Sequence, residues 1–163
     1  FPGGPTSMVS FYNSRADSML SKILSGPSLN AMRVRDRVAA GVRARIEILE
    51  SEKEIVRCTL SFLAMPQNLR LAMRCLHNTV DSIWRLAGDR ALDWNYYSKR
   101  GLLAVVYTTT VLYWLEDVSE GSTETWAFLN RRIENVMTVP KVVARCRNTI
   151  VSPLSQIRKV RTV

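Results

Sequence analysis

The run Leu102-Leu103-Ala104-Val105-Val106-Tyr107-Thr108-Thr109-Thr110-Val111-Leu112-Tyr113-Trp114-Leu115 decides how this chain folds. Its centre, Val106 to Val111, is mostly β-branched, and by propensity alone it suits a strand. With its flanks, however, it keeps an apolar face at helical spacing for about 20 residues, from Tyr96 to Glu116. An ordinary strand has about 5–6 residues. The apolar part is also too short to cross a bilayer, which takes about 20 apolar residues in a row. The run therefore reads as a buried helix. Being apolar on nearly all sides, it is expected at the centre of a bundle.

Outward from that helix the same period recurs. Met8, Phe11, Tyr12, Met19 and Ile23 form a stripe that Pro5-Thr6 opens and Gly26-Pro27 stops. Ser28 or Asn30 is placed to cap a second helix with the stripe Met32, Val34, Val38, Val42, Ile46 and Leu49. Its other faces carry Arg and Glu, as a solvated side does. Ser51 and Glu54 have the spacing of a capping box before Val56, Leu60 and Leu63. A helix over 67–86 follows Pro66 and ends at Gly88, with Leu69, Met73, Leu76, Val80, Ile83 and Trp84 on one stripe. Ser122 or Thr123 is expected to cap a sixth helix holding Trp126, Leu129, Ile133 and Val136, and a short seventh covers 142–150. The fold class is all-α. Two segments follow: a helical bundle over 1–139 and a basic tail over 140–163.

Charge is the skewed quantity. The chain of 163 residues carries a formal +9. From Arg131 onward there are eight basic residues against the single acid Glu134. Such a tail suits an anionic partner, whether lipid headgroups, nucleic acid or an acidic protein face. Leu154, Ile157 and Val160 recur every three residues beside Arg158, Lys159 and Arg161, the pattern of a surface-seeking helix.

Catalytic constellations are missing. His77 is the one histidine, and the residue three before it is Arg74, which excludes the Glu-x-x-His pairs of di-iron bundles. Asp81, four residues on, could orient its imidazole, but no nucleophile is placed beside them. Cys58, Cys75 and Cys146 form no Cys-x-x-Cys pair, so neither a zinc ribbon nor a disulfide framework is indicated. No metal and no cofactor is expected. Two features do suggest binding. Asp93-Trp94-Asn95-Tyr96-Tyr97-Ser98-Lys99-Arg100 sets three aromatics between an acid and two bases at a helix start, a contact patch or the closure of the bundle end. Leu60, Leu63, Met73, Leu76, Ile83 and Trp84, with Leu103, Val106, Tyr107 and Thr110 of the long helix, either fill a core or surround an acyl or isoprenoid chain.

Five stretches together resemble one family: Asp81-Ser-Ile-Trp84-x-x-Ala87-Gly88-Asp89, Asp93 to Arg100, Tyr107-x-Thr109-Thr110, Asp117-x-Ser119, and Thr125-Trp126-x-Phe128-Leu129-x-x-Arg132-Ile133. The sequence is similar to the lipid-binding accessory protein of ubiquinone biosynthesis, the partner of the di-iron demethoxyubiquinone hydroxylase. The match is strong over about residues 58–137. It is weaker through Arg33-x-Arg35-Asp36-Arg37-Val38 back to Phe1-Pro2-Gly3-Gly4. The resemblance implies a bundle like the ligand domain of TetR-type regulators. It implies no catalysis of its own, a bound isoprenoid or phospholipid, and quinone intermediates presented to the hydroxylase at a membrane.

The chain begins where the family's helix-turn-helix would end, so DNA binding is not expected. Asp93, Asn95, Tyr97 and Arg100 match the family's hydroxylase-contact motif, and Tyr96 stands where the family usually has Trp. Leu154, Ile157, Arg158, Lys159 and Arg161 correspond to its membrane-contacting end. The implied location is the matrix side of the mitochondrial inner membrane, or the membrane-associated cytoplasm of a bacterium. A basic pI near 10 favours the first. The alternative role is a diverged copy serving as a structural or assembly subunit of a mitochondrial membrane complex. Whether it acts as a homodimer or within a larger complex stays open.

Overall fold

The computed structural model describes residues 3–24, 32–88 and 94–136, with the side chains of 94–97 outside the description. Among these residues the structure is helical, without a strand. The helices are α1 (Gly4–Ile23), α2 (Val34–Glu47), α3 (Lys53–Leu63), α4 (Leu69–Leu86), α5 (Trp94–Glu116) and α6 (123–136). Single 3-10 turns, Glu50–Glu52, Pro66–Asn68 and Glu120–Ser122, lead into α3, α4 and α6. The expected breaks at Gly26-Pro27 and Pro140, the caps at Ser28 or Asn30, the helix over 142–150 and the boundary at 139–140 lie outside the described residues.

The core is one apolar cluster. Leu20, Val42, Ile46, Val80, Ile83, Trp114 and Leu129 are its most enclosed members. α4 lies at its centre, packed on α1, α2, α3 and α5. Gly41 lets α2 approach closely: a Cβ there would sit 2.9 Å from Cγ2 of Ile83. Gly88 ends α4 as expected, at φ +83°, with its N–H donating to the Arg85 carbonyl at 3.1 Å.

Three expectations are corrected here. The α1 stripe was misplaced: Met8, Phe11, Met19 and Ile23 are exposed, and α1 instead buries Val9, Ala16, Asp17 and Leu20. Both sets satisfy a helical period. The buried one escaped notice because it contains a small residue and a carboxylate. Second, α5 is a wall and not an all-round core helix, since Val105 and Leu112 are exposed. Third, the caps differ. Ser51 lies within the 3-10 turn before α3, and Glu52 is the N-cap without a side-chain bond. At α6, Asp117 and Ser119 do the capping: Asp117 Oδ2 accepts the Thr125 N–H at 2.9 Å, and Ser119 Oγ accepts the Glu124 N–H at 3.2 Å. These are the residues of the Asp117-x-Ser119 motif.

The far end of α5 is fixed by basic residues of α3. Arg57 Nη2 donates to the Leu115 carbonyl at 3.0 Å and Nη1 to Glu116 at 2.7 Å. Lys53 Nζ donates to the Asp117 carbonyl at 3.2 Å. These bonds satisfy carbonyls that a helix C-terminus leaves without partners.

Candidate functional site

Between α1, α3, α4 and α5 the packing leaves a cavity of about 340 Å3. That is at the small end of the roughly 300–1,000 Å3 of small-molecule sites. The walls are apolar: Val9 from α1, Val56, Leu60 and Leu63 from α3, Leu76 from α4, Val111 and Leu112 from α5. Ala64, Thr108 and Leu112 are its solvent-exposed members and mark the mouth. Ala72 of α4 also lines it, where a larger residue would fill the space.

Polar groups cluster at the opposite end. Asn13 of α1, Arg45 of α2 and Thr79 of α4 line the cavity there. Arg45 is only 2% exposed, and its Nε donates to Asp17 Oδ1 at 2.8 Å. Its Nη2 donates to Asn13 Oδ1 at 3.1 Å. Thr79 Oγ1 donates to Asp17 Oδ1 at 3.0 Å, and Asn13 Nδ2 to Asp17 Oδ2 at 3.0 Å. Burial works against the charge on Arg45, yet its neighbours, the Asp17 carboxylate among them, raise its pKa, so it stays a cation. Burial, and then the charge of Asp17, push the Cys75 thiol up, which keeps it protonated. Burial also raises Tyr107, leaving a neutral phenol in the wall.

Of the residues that the sequence set around a lipid, Leu60, Leu63, Leu76 and Tyr107 line this cavity. Ile83, Trp84, Leu103, Val106 and Thr110 are buried in the helix packing outside its lining. Ile83 meets Gly41 of α2 there, and Trp84 Nε1 donates to the Lys99 carbonyl at 3.2 Å. Met73 points away from the cavity and is 59% exposed.

Sequence reading missed Asn13, Arg45 and Thr79, having assigned the Arg residues of α2 to a solvated side. A signal was present: Arg45 stands three residues after Val42 and four before Leu49, inside the apolar stripe.

The aromatic patch is described only in part. Asp93 and the side chains of Asn95, Tyr96 and Tyr97 lie outside the described residues, as do Leu154, Ile157, Arg158, Lys159 and Arg161. Arg100 is described and is buried, 8% exposed. Its Nε and Nη2 both donate to Asp81 Oδ1, at 3.0 and 2.7 Å. It holds α5 against α4 because a guanidinium shielded from water needs a carboxylate. His77 is on the exposed face of α4, and Asp81 is engaged by Arg100 and Arg85. Among the described residues no cluster of three or more His, Cys, Asp or Glu could hold a metal, and no helix is long and apolar enough to cross a membrane.

The class of protein that this architecture defines is an all-α domain of the TetR type. A TetR transcriptional regulator from Nitrosomonas europaea superimposes with a TM-score of 0.67 over 80% of this chain and 72% of its own, at 20% identity. Sequence comparison adds a likeness to one family. The family model described as COQ9 matches residues 69–140. The mitochondrial ubiquinone biosynthesis protein COQ9 of Rattus norvegicus is 34% identical over 116 residues, 71% of this chain and 36% of its own length. The human protein of that name is 32% identical over the same share of this chain, and the Drosophila melanogaster one 29% identical over 89% of it. The chain is homologous to the COQ9 family. It spans about a third to a half of the length of these relatives.

Proposed function

We propose that this chain is a non-enzymatic lipid carrier of ubiquinone biosynthesis, which holds an isoprenoid or quinone intermediate in its bundle and presents it to the di-iron demethoxyubiquinone hydroxylase at a membrane. The observation that carries the reading is the apolar cavity of about 340 Å3 between α1, α3, α4 and α5, in a homologue of proteins named for ubiquinone biosynthesis. A prenyl chain gains free energy on leaving water roughly in proportion to the apolar area it buries, and a dry sleeve supplies that burial. The relatives are named mitochondrial, and in this reading the chain works at the matrix face of the inner membrane.

Asp93, Asn95, Tyr96 and Tyr97 form the hydroxylase contact in this reading, and Leu154, Ile157, Arg158, Lys159 and Arg161 the membrane contact. Arg100 supports the first of these from beneath, by fixing the start of α5. Mass spectrometry of organic extracts from the purified protein tests the carrier role. A stoichiometric isoprenoid, quinone or phospholipid is expected. A lipid-free protein that aggregates when alone would overturn it in favour of the assembly-subunit role.

A further inference from the structure

Of the buried groups that line the cavity, the Tyr12 hydroxyl and one nitrogen of Arg45 are left over. Of the three guanidinium nitrogens of Arg45, Nε and Nη2 are engaged by Asp17 and Asn13, while Nη1 is buried and has no hydrogen-bond partner among the described residues. Buried donors in folded proteins almost always have partners, and charged ones most of all. This one belongs to a residue that lines a cavity whose walls are mostly apolar. We propose that Arg45 Nη1 is a head-group anchor: it donates to an oxygen of an amphiphile that enters head first, its apolar tail running out past Leu60 and Leu63 to the mouth at Leu112. The inference rests on the carrier reading above and adds to it which end of the guest goes in and what that end is.

The chemistry of the seat selects the head. Asp17 already neutralises Arg45, so an incoming carboxylate or phosphate would bring a second negative charge close to Asp17 in a poorly hydrated place. A neutral acceptor, the carbonyl of a quinone or a hydroxyl, takes the free N–H without that cost. Tyr107 in the same wall is a neutral phenol able to donate or accept beside it. Cys75 also lines the cavity, and a thiolate there would add to a quinone ring. Burial and Asp17 keep it a thiol, so a quinone head can sit there unmodified.

The test compares a decyl-substituted benzoquinone, decylbenzene and decanoate by titration calorimetry on the full chain. The wild-type protein is expected to bind the quinone at least ten-fold more tightly than either other probe. Arg45→Lys keeps a charge toward Asp17 but loses the second terminal nitrogen. The double change Arg45→Met with Asp17→Leu removes the pair altogether. In both, the preference should vanish, with decylbenzene binding retained. A wild-type protein with no preference, or variants that keep it, would overturn the anchor while leaving the carrier reading intact. A wild-type protein that binds no probe would remove both. The wild-type preference is read without any variant, so the test does not depend on the variants folding.

Discussion

On opposite faces of α4, two buried arginines meet carboxylates with different consequences. Thr79 and Asp81 are two residues apart, which turns them about 200° around the helix. On one face Arg100 of α5 makes two bonds to Asp81, whose side chain is partly open to solvent and also takes Arg85. On the other face Arg45 of α2 meets Asp17 and Asn13 of α1, beside Thr79 and at the end of a cavity. The first pair is a strut at the edge of the bundle. The second lies where water is nearly excluded and empty space begins, so it is set up to recognise a guest. The same two residue types thus become support or site according to what lies next to them.

Removing one partner from each pair should separate the two. Arg45→Met leaves Asp17 buried without its counter-charge and should cost about 3–5 kcal/mol in urea unfolding. Restoring neutrality with Asp17→Leu should recover most of that loss, because a well-packed apolar pair often matches a buried ion pair. A double variant as unstable as the single one would mean that the hydrogen bonds, and not the charge, carry the pair. Near the strut, Trp84→Ala should cost about 3–5 kcal/mol through the cavity it leaves. Arg100→Met should cost less, about 1.5–3 kcal/mol, since Asp81 keeps Arg85 and some solvent. If Arg100→Met proves the costlier of the two arginine changes, the comparison is inverted.

Smaller still, Asp117→Ala should cost about 1 kcal/mol by uncapping α6. Acid titration follows from the two depressed carboxylates. At Asp81 burial alone would raise the pKa, but bonds from Arg100 and Arg85 outweigh it. At Asp117 burial is likewise outweighed, by Ser119 and Thr125. A pKa lower folded than unfolded means stability that is present above the unfolded value, about 3.9, and lost as the pH falls through the folded one. Unfolding midpoints should therefore drop below about pH 4, less steeply in Asp81→Asn and in Asp117→Asn. Unchanged slopes would show that neither carboxylate is held as described.

Much of this was legible in the chain. Four long helices and the Gly88 stop follow from apolar period and turn chemistry alone, and Leu60, Leu63, Leu76 and Tyr107 were picked out because they lie on those stripes. α1 was read on the wrong face because Met8, Phe11, Met19 and Ile23 repeat as convincingly as Val9, Ala16 and Leu20. Exposed residues can be as greasy as those that fill a core. Arg45 was passed over because a cation in a stripe ordinarily marks its solvated side.

What the residues determine on their own is local: helical period, breakers, a preponderance of positive charge and the run of motifs shared with the COQ9 family. Those properties depend on neighbours three or four positions away, and they survive without knowing how the helices meet. Tertiary structure alone decided which stripe of α1 faces inward, that Asp17 on α1 would find Arg45 on α2, and that Arg100 would turn inward to Asp81. It also decided that α3 and α5 stand far enough apart to leave a cavity. Partners distant in sequence are chosen by packing, because desolvating a charge is tolerable only where another element happens to bring its counter-charge.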